Sequence, residues 1–181
     1  ISRYFLSKSL LVAFGIFLCS QTSFAQQKSF YDSLDLAKSE LNQQRFAEAF
    51  QILDRLENQF PGEENLIRIK GQGLYWKKDF AGCKEYFEEK IKSYSLLPWI
   101  KLDFGRILFE LQEWKYSKGI LKDFLNLVPD DQEALQMLAA INYWTGGSPS
   151  KSYRYLDRIL NQYPDNPSAK QLRSEIWTQT A

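Results

Sequence analysis

The sequence predicts an all-α fold, an α-solenoid of about four helix pairs followed by a C-terminal capping helix. Small residues recur at a step of 34 positions, and they are Ala37, Gly71, Gly105 and Ala139. Large aromatic residues recur at the same step, and they are Phe46, Phe80 and Trp114. Between short polar breaks, apolar residues fall at spacings of three or four, which is the period of an amphipathic helix. Because small residues permit close helix approach and aromatics fill gaps, this recurrence indicates stacked helix pairs.

Composition and net charge argue against several classes of function. The chain has 181 residues, 44% hydrophobic and 25% charged, which is typical of one folded domain. The formal net charge of +1 gives no reason to expect nucleic acid or an anionic membrane surface as a partner. The sequence contains no histidine, so the commonest general base and metal ligand are missing. The sequence also lacks a glycine-rich phosphate loop and a metal-ligand cluster, so we expect a non-catalytic protein without cofactor or metal.

Residues 1–25 have the organisation of a secretory signal peptide. Two basic residues lie at its start, and the apolar run at 10–18 is too short to span a bilayer as a helix. Small residues precede a cleavage site that we place after Ala25. We therefore expect a periplasmic or envelope location and no transmembrane helix after cleavage. Lipidation of Cys19 is the alternative, although Leu18 stands where a small residue is normally needed.

The remainder of the chain, 26–181, is predicted to form one domain of helical repeats. The expected units are residues 29–62, 63–96, 97–130 and 131–165, followed by a capping helix over 166–179. Short breaks at 43–45, 77–79 and 146–147 predict the turns inside three of these units. Pro98 suits the first turn of the helix that opens the third unit.

The fourth unit departs from the period of the others. Its closing residue, Pro164, falls one residue later than Pro129 predicts. This indicates a one-residue insertion, which we place between Gln132 and Ala140. Ser148-Pro149 predicts a helix start, with the serine as a cap and the proline at the first helical position.

These positions resemble the tetratricopeptide repeat, a 34-residue helix–turn–helix unit with small residues on its first helix and an aromatic after its turn. The alanine that the family places three residues after the aromatic reads Ala49, Cys83, Ser117 and Ser152. The closing proline reads Pro61, Pro129 and Pro164, with Pro98 late in the second unit. The fourth unit lacks the aromatic. The resemblance covers nearly all of the chain after residue 25 and implies a right-handed solenoid in an exported bacterial protein.

In this family the first helix of each pair lines a concave groove, so the resemblance implies candidate binding residues. They are Lys38, Arg68, Gln72, Tyr75, Trp76, Trp99, Arg106, Phe109, Tyr143 and Trp144. The same positions on the four first helices also include Tyr31, Leu34, Leu41, Asn42, Asn65, Leu102, Glu110, Glu133, Gln136 and Ala140. Such aromatic, basic and amide side chains suit a binding hot spot. For the tyrosines and tryptophans, packing within their own repeats and exposure in the groove both stay open. We expect the two arginines to be solvated rather than to hold a carboxylate, and Cys83 to be buried.

The resemblance implies a scaffold that binds a protein or peptide partner in the groove, without catalysis. Two alternatives stay open. In one, the chain continues past Ala181 and is the N-terminal periplasmic module of a larger outer-membrane β-barrel protein, which would associate it with the outer membrane. In the other, the aromatic surface binds glycans by stacking on sugar rings.

Overall fold

The structure, a computed structural model, describes residues 27–180. The predicted signal peptide at 1–25, its cleavage site and Cys19 lie outside the described residues. No helix in the described range is both long and apolar enough to cross a bilayer.

The described residues form nine α-helices and no strand, which confirms the all-α helical repeat fold. The helices are α1 at 27–42, α2 Phe46–Gln59, α3 Glu64–Trp76, α4 Phe80–Ser93, α5 Pro98–Glu110, α6 Trp114–Leu125, α7 Gln132–Trp144, α8 Pro149–Gln162 and α9 Pro167–Thr180. Prolines occupy the first position of α5, α8 and α9. A residue there makes no N–H hydrogen bond within the helix, so the missing N–H of proline costs nothing. Asp79 and Asp131 cap α4 and α7 by accepting hydrogen bonds from Gly82 N and Ala134 N at 3.0 and 2.9 Å.

The chain divides into two compact units, Ile1–Pro61 and Gly62–Ala181. In the described part of the first unit, α1 and α2 each bury one apolar stripe. Phe30 of α1 meets Phe60, just after α2, edge to face at 4.8 Å between ring centroids. The buried side chains of this pair are Phe30, Leu34, Ala37, Leu41, Ala49, Leu53 and Leu56.

The second unit stacks three helix pairs and a final single helix. The pairs are α3–α4, α5–α6 and α7–α8. The first helix of each later pair also contacts both helices of the pair before it, and α9 contacts α7 and α8 in the same way. The rings of Phe87 and Phe104 stack at 5.2 Å and join two neighbouring pairs. Each pair therefore buries its second face against the next pair, as expected for helical repeats.

The recurring small residues lie where two helices of one pair approach closely. A Cβ atom on Gly71 would lie 2.2 Å from the ring of Phe87, and one on Gly105 would lie 2.6 Å from Leu121. The buried backbone carbonyl at each of three small positions also accepts a hydrogen bond from the second helix. The donors are Cys83 Sγ to Gly71 O at 3.4 Å, Ser117 Oγ to Gly105 O at 2.8 Å and Ser152 Oγ to Ala139 O at 3.0 Å. The predicted close approach is confirmed, and Cys83 is buried as predicted.

The turns inside the pairs share a left-handed residue at the same step of 34. These residues are Gln44, Lys78, Gln112 and Gly146, with φ of 60°, 65°, 59° and 68°. A left-handed conformation ends a helix and reverses the chain within three or four residues. Glycine adopts this conformation without strain, whereas glutamine and lysine do not.

The insertion in the fourth unit lies in its turn, so its placement between Gln132 and Ala140 is wrong. The turn at 145–148 has four residues, whereas those at 77–79 and 111–113 have three. Asn142 stabilises the longer turn, because its Nδ2 donates to Ser148 O at 2.8 Å and to Ser152 Oγ at 2.9 Å. Helix α7 has 13 residues, the same length as α3 and α5, so it contains no inserted residue.

Two smaller expectations are also corrected. Ser148 precedes α8, but its side chain makes no capping hydrogen bond. Pro98 is the first residue of α5, which confirms the predicted helix start, so it is not the closing proline of the second unit.

Candidate functional site

A cavity of about 460 Å³ opens on the second unit, between residues of α5, α7 and α9. We call it the α7–α9 groove. Its lining residues come from α5, α7 and α9, and they are Phe109, Glu133, Gln136, Met137, Ala140, Trp144, Ser168, Gln171, Leu172 and Glu175. Helical periodicity explains this set, since positions three or four apart share one face of a helix. Gln136 and Ala140 on α7, and Gln171 and Glu175 on α9, are such pairs.

Three aromatic rings form a cluster at one end of the groove. Phe109 meets Trp114 at 5.4 Å and Trp144 at 5.5 Å, and the two tryptophans lie 5.4 Å apart. Trp114 is the recurring aromatic that follows the turn, and its ring contacts both of the others. Trp144 remains 54% exposed, so a large rigid apolar surface faces solvent beside the groove. Such a surface gives contact area with few rotatable bonds to immobilise.

A chain of ion pairs runs across the first helices upstream of the groove. Asp103 is fully buried at its side chain and pairs with Arg68 Nε at 2.6 Å and with Arg106 Nη1 at 2.8 Å. Arg106 continues to Glu133 of α7, donating through Nη2 to Oε2 at 2.8 Å and through Nε to Oε1. The expectation that Arg68 and Arg106 are solvated is therefore wrong. Both hold carboxylates of their own chain, because Asp103 takes a buried position that a charge occupies only when paired.

Hydrogen bonding and burial shift the pKa values of three side chains on α3, α4 and α5. The hydrogen bonds from Arg106 to Glu133, with Asp103 nearby, raise the pKa of Arg106 further above its usual range. A hydrogen bond to Glu110 raises the pKa of Tyr75 to about 12. Burial raises the pKa of the Cys83 thiol to about 12, so this cysteine stays protonated and is a poor nucleophile near neutral pH.

The structure places the ten predicted binding residues in different surroundings. Phe109 and Trp144 come together in the groove. Trp76 is 47% exposed at the end of α3 and lies outside it. Trp99 is 38% exposed, packs its ring against Phe124 at 5.8 Å and donates its backbone N–H to Glu64 at 2.7 Å.

Four further predicted residues are also separated from the groove. Tyr75 packs against Phe80 at 5.6 Å between ring centroids, and Gln72 is half-buried on α3. Tyr143 packs beside the core between α7, α8 and α9, and its buried hydroxyl has no hydrogen-bond partner within the described residues. Lys38 belongs to the first unit, where its Nζ binds Asp35 at 3.1 Å.

The sequence reading omitted one wall of the groove. Helix α9 was interpreted as a cap, so its residues were not among the predicted groove residues. A step of 35 residues from the α7 lining positions leads to three α9 residues that also line the cavity. The pairs are Glu133 and Ser168, Gln136 and Gln171, and Ala140 and Glu175. The 35-residue spacing between Pro129 and Pro164 already carried this signal. The sequence also marks Asp103 as unusual, because the residues 34 positions before and after it are apolar, Ile69 in α3 and Met137 in α7.

Chemically, the site offers surfaces rather than a reactive centre. Among residues 27–180, no group of three histidine, cysteine, aspartate or glutamate side chains is placed to hold a metal ion. The groove supplies an apolar floor, an exposed tryptophan, amide side chains and carboxylates. Such a combination can bury an apolar side chain and hydrogen-bond a peptide backbone beside it.

Comparison with known proteins agrees with the repeat pattern. A family model described as tetratricopeptide repeat matches residues 33–62 and 133–166. A search of curated proteins gave no match. Among solved structures, the chain is similar to MamA from Desulfovibrio magneticus RS-1, with 14% identity, a TM-score of 0.68 and coverage of 83% of this chain and 85% of that one.

Two further structures show the same likeness. Pseudomonas aeruginosa PilF has 13% identity and a TM-score of 0.71, covering 85% of this chain and 70% of PilF. YrrB, described as a TPR protein with an unusual peptide-binding site, has 12% identity and a TM-score of 0.61, covering 76% of this chain and 71% of YrrB. At these identities the likeness concerns the fold. Together with the matched repeats and the stacked helix pairs, it supports a tetratricopeptide repeat fold for this chain.

Proposed function

We propose that this protein is a non-catalytic scaffold that holds a peptide segment of a partner protein in the α7–α9 groove. The tetratricopeptide repeat fold supports protein–protein interaction in general. The observation that carries the groove assignment is the cavity of about 460 Å³ beside the half-exposed ring of Trp144. Its volume lies in the range of sites that enclose a small ligand or a few peptide side chains.

The composition of the lining supports a peptide as the ligand. Met137, Ala140 and Leu172 form an apolar floor that can bury one side chain. Gln136 and Gln171 stand on opposite walls, and each amide offers both a donor and an acceptor to an extended backbone. YrrB, a protein of similar fold, is described as having an unusual peptide-binding site, which supports a peptide as the ligand here.

Selection of peptides and measurement of their affinity test this proposal. A random dodecapeptide library is selected on the protein, and the enriched peptides are synthesised with a fluorophore. We expect Trp144→Ala to weaken their binding roughly tenfold or more, the effect of removing an aromatic anchor. Trp177→Ala is the matched control, because Trp177 is 67% exposed on another face of α9 and does not line the groove.

Two results would overturn the groove assignment. One is equal affinity of the enriched peptides for the wild-type protein and Trp144→Ala. The other is that the library yields no enriched peptide, while soluble polysaccharides change the tryptophan fluorescence of the wild-type protein but not that of Trp144→Ala. That second result would instead favour sugar stacking on the Trp144 ring.

We also propose that the protein is exported and acts in the periplasm or envelope. The support is the sequence organisation of residues 1–25. Expression of the full chain with a C-terminal tag, followed by cell fractionation and N-terminal sequencing, should give a periplasmic product that begins at Gln26. An uncleaved cytoplasmic product would contradict export, and incorporation of labelled fatty acid at Cys19 would favour the lipidated alternative.

A further inference from the structure

The charged residues that line the α7–α9 groove are all acidic. Of the ten described side chains around the cavity, two are glutamates and none is lysine or arginine. The nearby basic side chains are each paired with a carboxylate of this chain. Arg106 holds Glu133 and Asp103, while Arg173 and Lys170 of α9 pair with Asp157 and Asp165 at 2.9 Å each.

The two glutamates differ in how far their charge is compensated. Glu133 receives two hydrogen bonds from the guanidinium of Arg106, so its charge is balanced by a cation in direct contact. Glu175 lies exposed on the opposite wall and accepts a hydrogen bond from the neutral amide of Gln171 at 3.0 Å. That amide orients the carboxylate without neutralising it. Glu175 therefore presents a negative charge to any ligand in the groove.

The aromatic cluster also favours a positively charged ligand. The face of a tryptophan ring attracts cations, and the aliphatic stem of a lysine or arginine packs well on such a ring. Trp144 exposes its ring at the α7 wall, beside an apolar floor formed by Met137, Ala140 and Leu172. An acidic segment in this place would bring its carboxylates close to Glu175 and would be repelled.

Resting on the proposed function, we infer that the groove selects basic peptide segments, in which a lysine or arginine lies next to an apolar side chain. The apolar side chain enters the floor, the basic group binds the carboxylate of Glu175, and its stem packs near Trp144. The same preference disfavours acidic peptides, because their carboxylates would lie close to Glu175. Specificity here comes from the charge that the groove leaves unpaired, whereas the apolar floor supplies affinity.

The experiment uses the random dodecapeptide library on four forms of the full chain: wild type, Glu175→Gln, Glu175→Lys and the control Glu85→Lys. Glu85 is exposed on α4, so its substitution makes the same charge change away from the groove. We expect wild type and Glu85→Lys to enrich lysine and arginine over aspartate and glutamate. Peptides enriched on wild type should bind Glu175→Lys roughly tenfold more weakly, since a charge-assisted hydrogen bond becomes a repulsion.

The outcomes separate this inference from the proposed function. If enriched peptides depend on Trp144 but show no basic bias, or an acidic one, the inference is wrong and groove binding stands. An affinity that is equal for wild type and Glu175→Lys, with Trp144 still required, leads to the same conclusion. If no enriched peptide depends on Trp144, the proposed function itself is wrong. Circular dichroism of each variant excludes unfolding as the cause of any loss.

Discussion

Arg68 of α3 donates a hydrogen bond of 2.6 Å from Nε to Oδ2 of Asp103, 35 residues later in α5. The same carboxylate accepts from Arg106 Nη1 at 2.8 Å, one helical turn away. Two cations thus share one buried anion across neighbouring repeats, and Arg106 extends the contact to Glu133 in α7. This chain of charges joins the first helices of three consecutive repeats and holds the α5 side of the groove in place.

Removing the shared anion should destabilise the protein. Asp103→Ala leaves Arg68 and Arg106 facing each other without a buried counterion, although both are partly exposed and regain some water. We expect a loss of roughly 1–3 kcal/mol in the free energy of unfolding, measured by urea denaturation. Asp35→Ala is the control, because Asp35 makes an exposed ion pair worth less than about 1 kcal/mol. Equal effects of both substitutions would contradict the structural role of Asp103.

Adding one methyl group to different glycines should change stability in opposite directions. Gly71→Ala places a Cβ 2.2 Å from the buried ring of Phe87, which is stacked on Phe104, so we expect a loss of roughly 1–3 kcal/mol. Gly119→Ala meets no atom within 4 Å and lies inside α6, so we expect a gain of about 0.5–1 kcal/mol from reduced chain entropy. Thermal melting of the two variants is the measurement. A stabilising Gly71→Ala would mean that α3 and α4 are not this close.

Substitution of Gly146, in the left-handed turn position, should change stability through backbone strain without a packing clash. Gly146 has φ of +68° and open space around its α-carbon. Gly146→Ala should therefore cost about 1 kcal/mol through backbone strain alone. Gln112→Gly makes the reverse change at the matching turn and should recover part of that strain. Chemical denaturation measures both, and two shifts of the same sign would contradict the shared turn conformation.

Tyr75 should make the stability depend on pH in the alkaline range. Its pKa is raised to about 12 by Glu110, above the usual value of 10.0, so the unfolded chain loses this proton first. The stabilisation is complete below pH 10 and is lost as the pH rises to about 12. The difference in melting temperature between wild type and Tyr75→Phe should therefore change across this interval. With Glu110→Gln, the ultraviolet titration of Tyr75 should move toward lower pH, and an unchanged titration would exclude Glu110 as the cause.

Cys83 should be inert in the folded protein and replaceable by serine. Its buried thiol has a pKa raised to about 12, and reaction with a thiol reagent followed by peptide mapping should show labelling of Cys83 only in denaturant. Cys83→Ser should change the free energy of unfolding by less than about 1.5 kcal/mol, since hydroxyl donors already make the same contact in two other repeats. Rapid labelling of Cys83 under native conditions would show that the α3–α4 pair opens readily.

Much of the fold could be read from the sequence because repeats specify it locally. The step from Gly71 to Gly105 to Ala139 reflects a contact made anew within each pair, about twelve residues apart, so it leaves the same mark each time. Half of the groove followed from the same logic. The α9 wall was missed because no second helix follows α9 within residues 27–180. From sequence, a single amphipathic helix after the last pair has the pattern of a cap whether or not one of its faces lines a cavity.

The sequence by itself determined the helices, the turns between them and the close approach at the small residues, since each depends on backbone sterics and on neighbours within one repeat. The tertiary structure alone decided that Arg68, Asp103 and Arg106 share their charges, that the extra residue of the fourth repeat lies in a turn held by Asn142, and that Gln171 and Glu175 face the α7 wall. The physical reason is that the helical period fixes the face a side chain occupies, whereas its partner across helices is fixed by packing, burial and the pairing of charge.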